Sequence, residues 1–178
     1  EPMTSLNPIF TIGDQIGEAI TQHQSSTGAE ARKQTLELLH KVSIPSPEIR
    51  IDQYPHELSG GMKQRVMIAI AIACRPSLLI ADEPTTALDV TIQDQILSLL
   101  SSLKEDSEMS ILLITHNLGI VAQFADRVTV MYSGKIVEEA TVDSLFENPM
   151  HPYTRGLLNS LPKEDNESKL ESISGAVP

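Results

Sequence analysis

A pair of carboxylates and a histidine each follow a short apolar run of the chain. Asp82 and Glu83 come directly after Ser77–Ala81, and His116 stands two residues after Ser110–Ile114. Apolar runs of this length are typical of parallel strands covered on both faces. Ligands of open α/β sheets bind at the carboxyl ends of such strands, so these reactive side chains predict a ligand site at one sheet edge. Taken alone, the acidic pair is better explained as a helix-capping turn.

The stretch Leu58–Arg65, with the sequence LSGGMKQR, adds a candidate anion site. Ser59 can cap a helix whose first turn contains Gly60 and Gly61. Bare backbone N–H groups at a helix start attract anions, and glycine lets a phosphate approach them closely. The alternative is a flexible turn before a buried helix, because glycines are common at helix starts.

The elements that carry these groups change in character along the chain. From Thr11 to about Arg75 the apolar residues repeat at helical spacing, which predicts an all-helical half. Thr27 and Glu30 fit a capping box at the start of its second helix. The two apolar sets are Ile12, Ile16, Ala19 and Ile20, and Leu36, Leu39 and Val42. Pro45 is expected to close that second helix.

Beyond Pro76 the pattern predicts an α/β unit. A helix over Thr91–Lys104 has its apolar residues on one face, as a βαβ crossover between the two apolar runs requires. Arg127–Tyr132 and Lys135–Glu138, separated by two residues, predict a hairpin. Two short helices are expected to follow it, and the polar tail from Pro162 is expected to be mobile. The apolar helix positions are Ile92, Ile96, Leu99, Leu100 and Leu103.

Charge and composition exclude several classes of protein. The chain has 24 acidic and 13 basic residues, a formal charge of -11, which is the wrong sign for binding a phosphate backbone. Nucleic acid is therefore not an expected partner. The single cysteine, Cys74, cannot form an intrachain disulfide, which favours a cytosolic chain. The longest apolar run, Val66–Cys74, is far shorter than the ~20 residues of a membrane span. The histidines other than His116 lack the spacing of a metal cage.

Four stretches, in order and with matching separations, resemble the motifs of ATP-binding-cassette (ABC) ATPases. Leu58–Arg65 resembles the ABC signature, and Leu78–Pro84 resembles the Walker B strand. Thr85–Asp89 is similar to the D-loop, and Ile114–His116 to the switch-histidine motif. The resemblance implies an α/β fold: a partial P-loop NTPase core with a mainly parallel sheet, plus an all-helical signature subdomain.

Two further stretches, Glu1–Pro8 and Asn148–Leu158, resemble the ATPases of dipeptide and oligopeptide importers. On this resemblance, residues 1–76 correspond to a Q-loop remnant and the helical signature subdomain. Residues 77–140 correspond to the C-terminal part of the RecA-like core, and 141–178 to the C-terminal helices and polar tail of that branch.

The resemblance also implies a role for each matching residue. Asp82 would orient Mg²⁺ at the nucleotide through water, Glu83 would polarise the attacking water, and His116 would contact the γ-phosphate end of ATP. Asp89 would couple two sites across a dimer, although it could also cap the following helix. Ser59, Gly60 and Gly61 would complete the ATP site of the opposite protomer in a head-to-tail pair.

One expected motif does not occur in the sequence. No segment matches G-x-x-x-x-G-K-[S/T], the loop whose backbone cradles the phosphates of ATP. Upstream sequence carrying this loop and the Q-loop glutamine is expected before Glu1, and the chain alone is expected to have an incomplete ATP site and no activity. The single cysteine gives no basis for an iron–sulfur cluster.

The resemblance implies an ATP-hydrolysing subunit of an ABC importer of di- or oligopeptides, using ATP and Mg²⁺. Its expected partners are a second ABC ATPase subunit, identical or different, the transmembrane permease subunits and, indirectly, an extracytoplasmic peptide-binding protein. The expected location is peripheral, at the cytoplasmic face of the inner membrane. The alternatives are a soluble ABC-class ATPase outside transport, or a non-hydrolysing subunit that lends its signature to a partner.

Overall fold

The computed structural model describes residues 5–24, 26–86 and 88–160. The chain divides into two compact units, the first over Glu1–Ile114 and the second over Thr115–Pro178. The boundaries that the sequence suggested, after residues 76 and 140, stay predictions. The polar tail from Pro162 lies outside the described residues.

Helices form the first part of the first unit. They are α1 (Ile12–His23), α2 (Gly28–Lys41), α3 (Pro47–Arg50) and α4 (Gly60–Ile72), with a 3-10 turn at Pro55–Glu57. The isoleucines of α1, at positions 12, 16 and 20, are completely buried, as their spacing predicts. The capping box of α2 is confirmed, because the Thr27 N–H donates to Glu30 Oε2 at 2.9 Å. Helix α2 ends before Pro45, also as predicted.

The rest of the first unit is the predicted βαβ crossover. Strand β1 (Leu78–Asp82) runs parallel to β2 (Ser110–Ile114), and the helix α5 (Val90–Ser107) connects them. In the register of the pair, Asp82 lies beside Ile114, so both carboxyl ends meet at one edge. Five residues of α5 are buried: Ile96, Leu97, Leu99, Leu100 and Leu103.

The prediction that both strands are covered on both faces is wrong for the described residues. Leu79 and Ala81 of β1 are buried, whereas Leu78 and Ile80 are 49% and 59% exposed. Alternate side chains of a strand point to opposite faces, and the packing within the described part of the chain buries only one of them. On β2, Leu112 is likewise half exposed.

The second unit is built on a hairpin. Strand β3 (Arg127–Tyr132) pairs with β4 (Lys135–Thr141) in antiparallel fashion. Ser133 and Gly134 form the two-residue turn, both with positive φ, at 50° and 72°, as a tight hairpin turn with the twist of its strands requires. Helix α6 (Leu118–Phe124) precedes the hairpin, and the two predicted short helices follow it as α7 (Val142–Glu147) and α8 (Pro152–Asn159).

Candidate functional site

The serine and glycine stretch begins a helix, as the sequence predicts. Ser59 has extended backbone angles and is the N-cap of α4, and its Oγ accepts a hydrogen bond from the Met62 N–H at 3.3 Å. The cap satisfies one of the N–H groups that have no partner within the helix. The positive end of the dipole of this 13-residue helix therefore lies at Gly60 and Gly61.

The two glycines of α4 have different surroundings. A Cβ atom added at Gly61 would lie 2.9 Å from Cγ2 of Ile92 on α5, whereas one added at Gly60 would lie 3.8 Å from Cδ2 of Leu88. The first distance is too short for real carbon atoms and the second is an ordinary contact. Gly61 is thus required by the close packing of α4 against α5, a reason that the sequence did not reveal.

Glu83 holds an uncommon backbone conformation at the end of β1. Its φ is +44°, in the left-handed region, which costs about 1–3 kcal/mol for a residue other than glycine. Its N–H donates to the carbonyl oxygen of Ile114 at 2.8 Å, which continues the ladder between β1 and β2 by one step. Its Oε2 accepts a hydrogen bond from Thr86 Oγ1 at 2.7 Å. The Thr86 hydroxyl therefore orients the carboxylate, and the bond to Ile114 fixes the backbone that carries it. Both Asp82 and Glu83 are exposed.

Asp89 is the N-cap of α5. Its Oδ1 accepts a hydrogen bond from the Ile92 N–H at 3.0 Å, so the capping alternative from the sequence is confirmed. A coupling role for Asp89 across a dimer stays a prediction. The side chain of Gln93 also donates hydrogen bonds to the carbonyl oxygens of Thr85 and Leu88, just before α5. Sequence reasoning missed this contact, because a side-chain hydrogen bond to a backbone carbonyl leaves no motif.

His116 belongs to the second unit. It is exposed and lies between β2 and α6. The next residue, Asn117, caps α6 by accepting hydrogen bonds from the N–H groups of Gly119 and Ile120. The contact of His116 with the γ-phosphate end of ATP stays a prediction. The other predicted site residues, Ser59 to Gly61, Asp82, Glu83 and Asp89, lie in the first unit.

The carboxylates at the end of β1 suit a hard cation bound partly by water. Asp82 and Glu83 offer the oxygen ligands that Mg²⁺ prefers, and Mg²⁺ normally keeps several waters and phosphate oxygens as its other ligands. Within the described part of the chain, no group of three or more His, Cys, Asp or Glu side chains could hold a metal ion. The two carboxylates at the end of β1 have the donor chemistry of a magnesium site whose remaining ligands are water and phosphate oxygens.

Arg65, at the end of the LSGGMKQR stretch, is partly buried between helices. It donates from Nη1 to the carbonyl oxygen of Val42, the C-cap of α2, at 2.7 Å, and from Nη2 to Gln95 Oε1 at 3.2 Å. Burial lowers the pKa of its guanidinium group. The signature helix α4 is thereby tied both to α2 and to α5.

None of the helices in the described ranges combines the length and the apolar character that crossing a bilayer demands.

Two family models match the chain. The ABC transporter model matches residues 3–86, and the model of the oligopeptide/dipeptide transporter C-terminal region matches residues 137–178. Together they contain the signature, the acidic pair at the end of β1 and the Asn148–Leu158 stretch.

Curated relatives match the whole chain. It is 60% identical over 179 residues to the dipeptide transport ATP-binding protein DppD of Haemophilus influenzae, covering 100% of this chain and 54% of that protein. It is 59% identical to the oligopeptide transport ATP-binding protein AppD of Bacillus subtilis, with 100% and 55% covered. The chain thus spans about half the length of the curated relatives it matches.

Solved structures show the same fold. The dimeric post-hydrolysis state of an ATP-binding cassette bound to ADP and Pi matches with a TM-score of 0.67 and 30% identity, covering 78% of this chain and 59% of that one. The cbiO1 protein of Clostridium perfringens, part of the cbiONQ transporter complex, matches with a TM-score of 0.72 and 28% identity, covering 83% and 57%.

Proposed function

The chain belongs to the ABC transporter family, in its oligopeptide and dipeptide branch, and we propose on this basis that it is part of the ATP-hydrolysing subunit of a peptide importer. The observation that carries the hydrolytic part is the geometry of Glu83. Its backbone is bonded to Ile114 and its carboxylate to Thr86, at the sheet edge where α/β proteins bind ligands.

In this proposal Glu83 accepts a proton from the water that attacks the γ-phosphorus of ATP. The bond between that phosphorus and the bridging oxygen breaks, and the products are ADP and phosphate. Mg²⁺ supplies charge neutralisation at the phosphate oxygens when it is bound. Asp82 would hold the ion through water, and His116 would contact the γ-phosphate and help to hold it in line with the attacking water.

The remaining residues act on the ATP of a partner. Ser59, Gly60 and Gly61 present the positive end of α4 to the phosphates bound by a second ABC subunit in a head-to-tail pair, and Asp89 lies at the same dimer interface. The solved relative that is a dimer with bound ADP and Pi supports this arrangement. The second subunit is a copy of this protein or a related ABC ATPase.

An exposed apolar surface of the first unit is the proposed contact with the transmembrane permease subunits. Ile9, Phe10 and Tyr54 are 72%, 47% and 40% exposed. The Ile12 N–H donates to the carbonyl oxygen of Gln53 at 2.8 Å, which holds the segments carrying these residues side by side. Apolar side chains left exposed on adjoining segments are available for a protein contact. Contact with the permease would place the protein peripherally at the cytoplasmic face of the inner membrane. The extracytoplasmic peptide-binding protein is proposed as an indirect partner.

The test uses the complete protein assembled with its permease in membrane vesicles. Glu83→Gln should retain ATP binding but lower the rate of hydrolysis about a hundredfold or more, because it removes the base and keeps the shape. Uptake of a labelled dipeptide or oligopeptide should fall in parallel. Glu147→Gln, a matched change at an exposed position of α7, should leave both rates unchanged. Wild-type turnover in Glu83→Gln would refute the assigned base, and hydrolysis without peptide uptake in the wild type would refute the substrate class.

A further inference from the structure

Gln93 of α5 binds the backbone of the preceding loop at two points. Its Nε2 donates to the carbonyl oxygen of Thr85 at 3.2 Å and to that of Leu88 at 3.1 Å. Both protons of one side-chain amide are thus used on a single short loop, and Thr85 is itself buried. We call this pair of hydrogen bonds the Gln93 bridge.

The bridge does not serve to cap the helix. Asp89 already is the N-cap of α5 and binds the Ile92 N–H. The carbonyls of Thr85 and Leu88 precede the helix, so binding them fixes the positions of these two residues rather than the helix start. A glutamine is suited to this because its amide carries two donors at the end of a side chain long enough to reach both.

The first two turns of α5, which carry Gln93, also contact the signature helix α4. Ile92 packs so closely against Gly61 that a Cβ at Gly61 would lie 2.9 Å from Cγ2 of Ile92 and would displace it. Three residues further along α5, Gln95 accepts a hydrogen bond from Arg65 at 3.2 Å. Ile92 and Gln95 are neighbours on one side of the helix, since residues three apart share a face. The start of α5 therefore contacts α4 on one side and holds the Thr85–Asp89 loop through Gln93.

We propose that Gln93 is a positioning residue that fixes the Thr85–Asp89 loop to the signature helix, so that both meet a partner's nucleotide as one rigid body. The inference rests on the proposed function, in which Ser59 to Gly61 and Asp89 act at the site of a second subunit. Positioning matters because small misplacements of groups around a reacting phosphate lower the rate steeply. Gln93 acts through the loop and does not itself touch the nucleotide.

The first measurement needs no ATP. In the complete, nucleotide-free protein, Gln93→Met removes the donors while keeping a similar length, so hydrogen exchange of the amides of residues 85–89 should become about tenfold faster. Gln123→Met, at an exposed position of α6, is the matched control and should leave this exchange unchanged. If Gln93→Met does not fold, Gln93→Asn is used instead, because its amide is too short to reach both carbonyls. Unchanged exchange of residues 85–89 in the folded variant would overturn the bridge.

The second measurement is ATP hydrolysis by the transporter complex. Gln93→Met should lower kcat about tenfold while KM for ATP stays within about twofold, since the loop acts on a partner's reaction rather than on binding at its own site. A general loss of folded protein would lower the amount of active enzyme without changing the exchange pattern of one loop. Faster loop exchange with wild-type kcat would overturn the positioning role. A wild-type complex that does not hydrolyse ATP would refute the proposed function. The hydrogen-exchange measurement alone would then test whether the Gln93 bridge restrains the loop.

Discussion

The carboxylate of Glu138 on β4 accepts the backbone N–H of His151, the N-cap of α8, at 3.0 Å. Its other oxygen accepts the Met150 N–H at 2.7 Å. His151 in turn caps α8, because its Nδ1 accepts the Tyr153 N–H at 3.1 Å. One charged acceptor on the hairpin therefore attaches the Asn148–Leu158 stretch, whose sequence pointed to the peptide-importer branch. An anion at this place also complements the positive end of the helix dipole.

Replacing Glu138 should destabilise the second unit in a pH-dependent way. The Thr154 hydroxyl and the N–H groups of Met150 and His151 hold the pKa of Glu138 below its ordinary value of 4.5. A carboxyl whose pKa is lower in the folded state contributes stability above its unfolded pKa, and loses that contribution as the pH falls through the folded value. Glu138→Gln should therefore lower the free energy of unfolding by about 1 kcal/mol at neutral pH.

The measurement for Glu138 is thermal unfolding of the wild type and the variant from neutral pH to about pH 3. The difference between the two proteins should shrink as the pH falls, because protonation of the wild-type carboxylate removes its charged acceptor. Taking a difference removes the effect of Glu30 and Asp52, whose lowered pKa values are common to both proteins. Glu147→Gln, a change at an exposed position at the end of α7, is the control. A difference that stays constant with pH would contradict the assigned cause.

Alanine should have opposite effects at the two glycines of the signature helix. At Gly61 a methyl group must displace Ile92, and overpacking of this kind costs about 1–3 kcal/mol. At Gly60 the methyl group meets only an ordinary contact, and alanine favours the helix by up to about 1 kcal/mol. The free energies of unfolding of the two variants test this, and Ile92→Ala should restore much of the loss in the double variant with Gly61→Ala. Equal stability of the two single variants would argue against the packing role.

Ser59→Arg should prevent ATP-dependent dimerisation, because its side chain would fill the place proposed for the partner's phosphate. The substitution also removes the N-cap of α4, a loss of about 1 kcal/mol, so Ser59→Ala is needed to separate the two effects. Ser59→Ala should still form the dimer with ATP, as should Ser98→Arg, an arginine at an exposed position of α5. Sedimentation of the complete protein with ATP measures this. A normal dimer in Ser59→Arg would count against the proposed trans role.

Features that depend on neighbouring residues were predictable from the sequence. The capping box of Thr27 and Glu30, the cap at Ser59 and the turn at Ser133 and Gly134 all follow from residues one to three positions apart. The parallel pairing of β1 with β2 was also predicted, because two apolar runs around an amphipathic helix leave few other arrangements. The family motifs identified Asp82, Glu83 and His116, and their roles remain proposals.

The role of Glu138 could not be predicted, because it depends on the register of the hairpin. With a two-residue turn, regular pairing would place Glu138 opposite Thr129. The structure instead pairs Met131 with Ile136 and Val130 with Glu138, so that Val137 is an extra, bulged residue. A bulge shifts every following side chain to the other face, and here it brings the carboxylate to the face of the buried Val130.

The sequence by itself indicated the family resemblance, the order of the elements and the capping residues, because motifs and caps are contained in short, contiguous stretches. Only the tertiary structure decided that Gly61 packs on Ile92, that Gln93 bonds the carbonyls of Thr85 and Leu88, and that one face of β1 is exposed. Each of these depends on which atoms the packing of separate elements brings within a few ångströms, and residue types alone do not specify such distances.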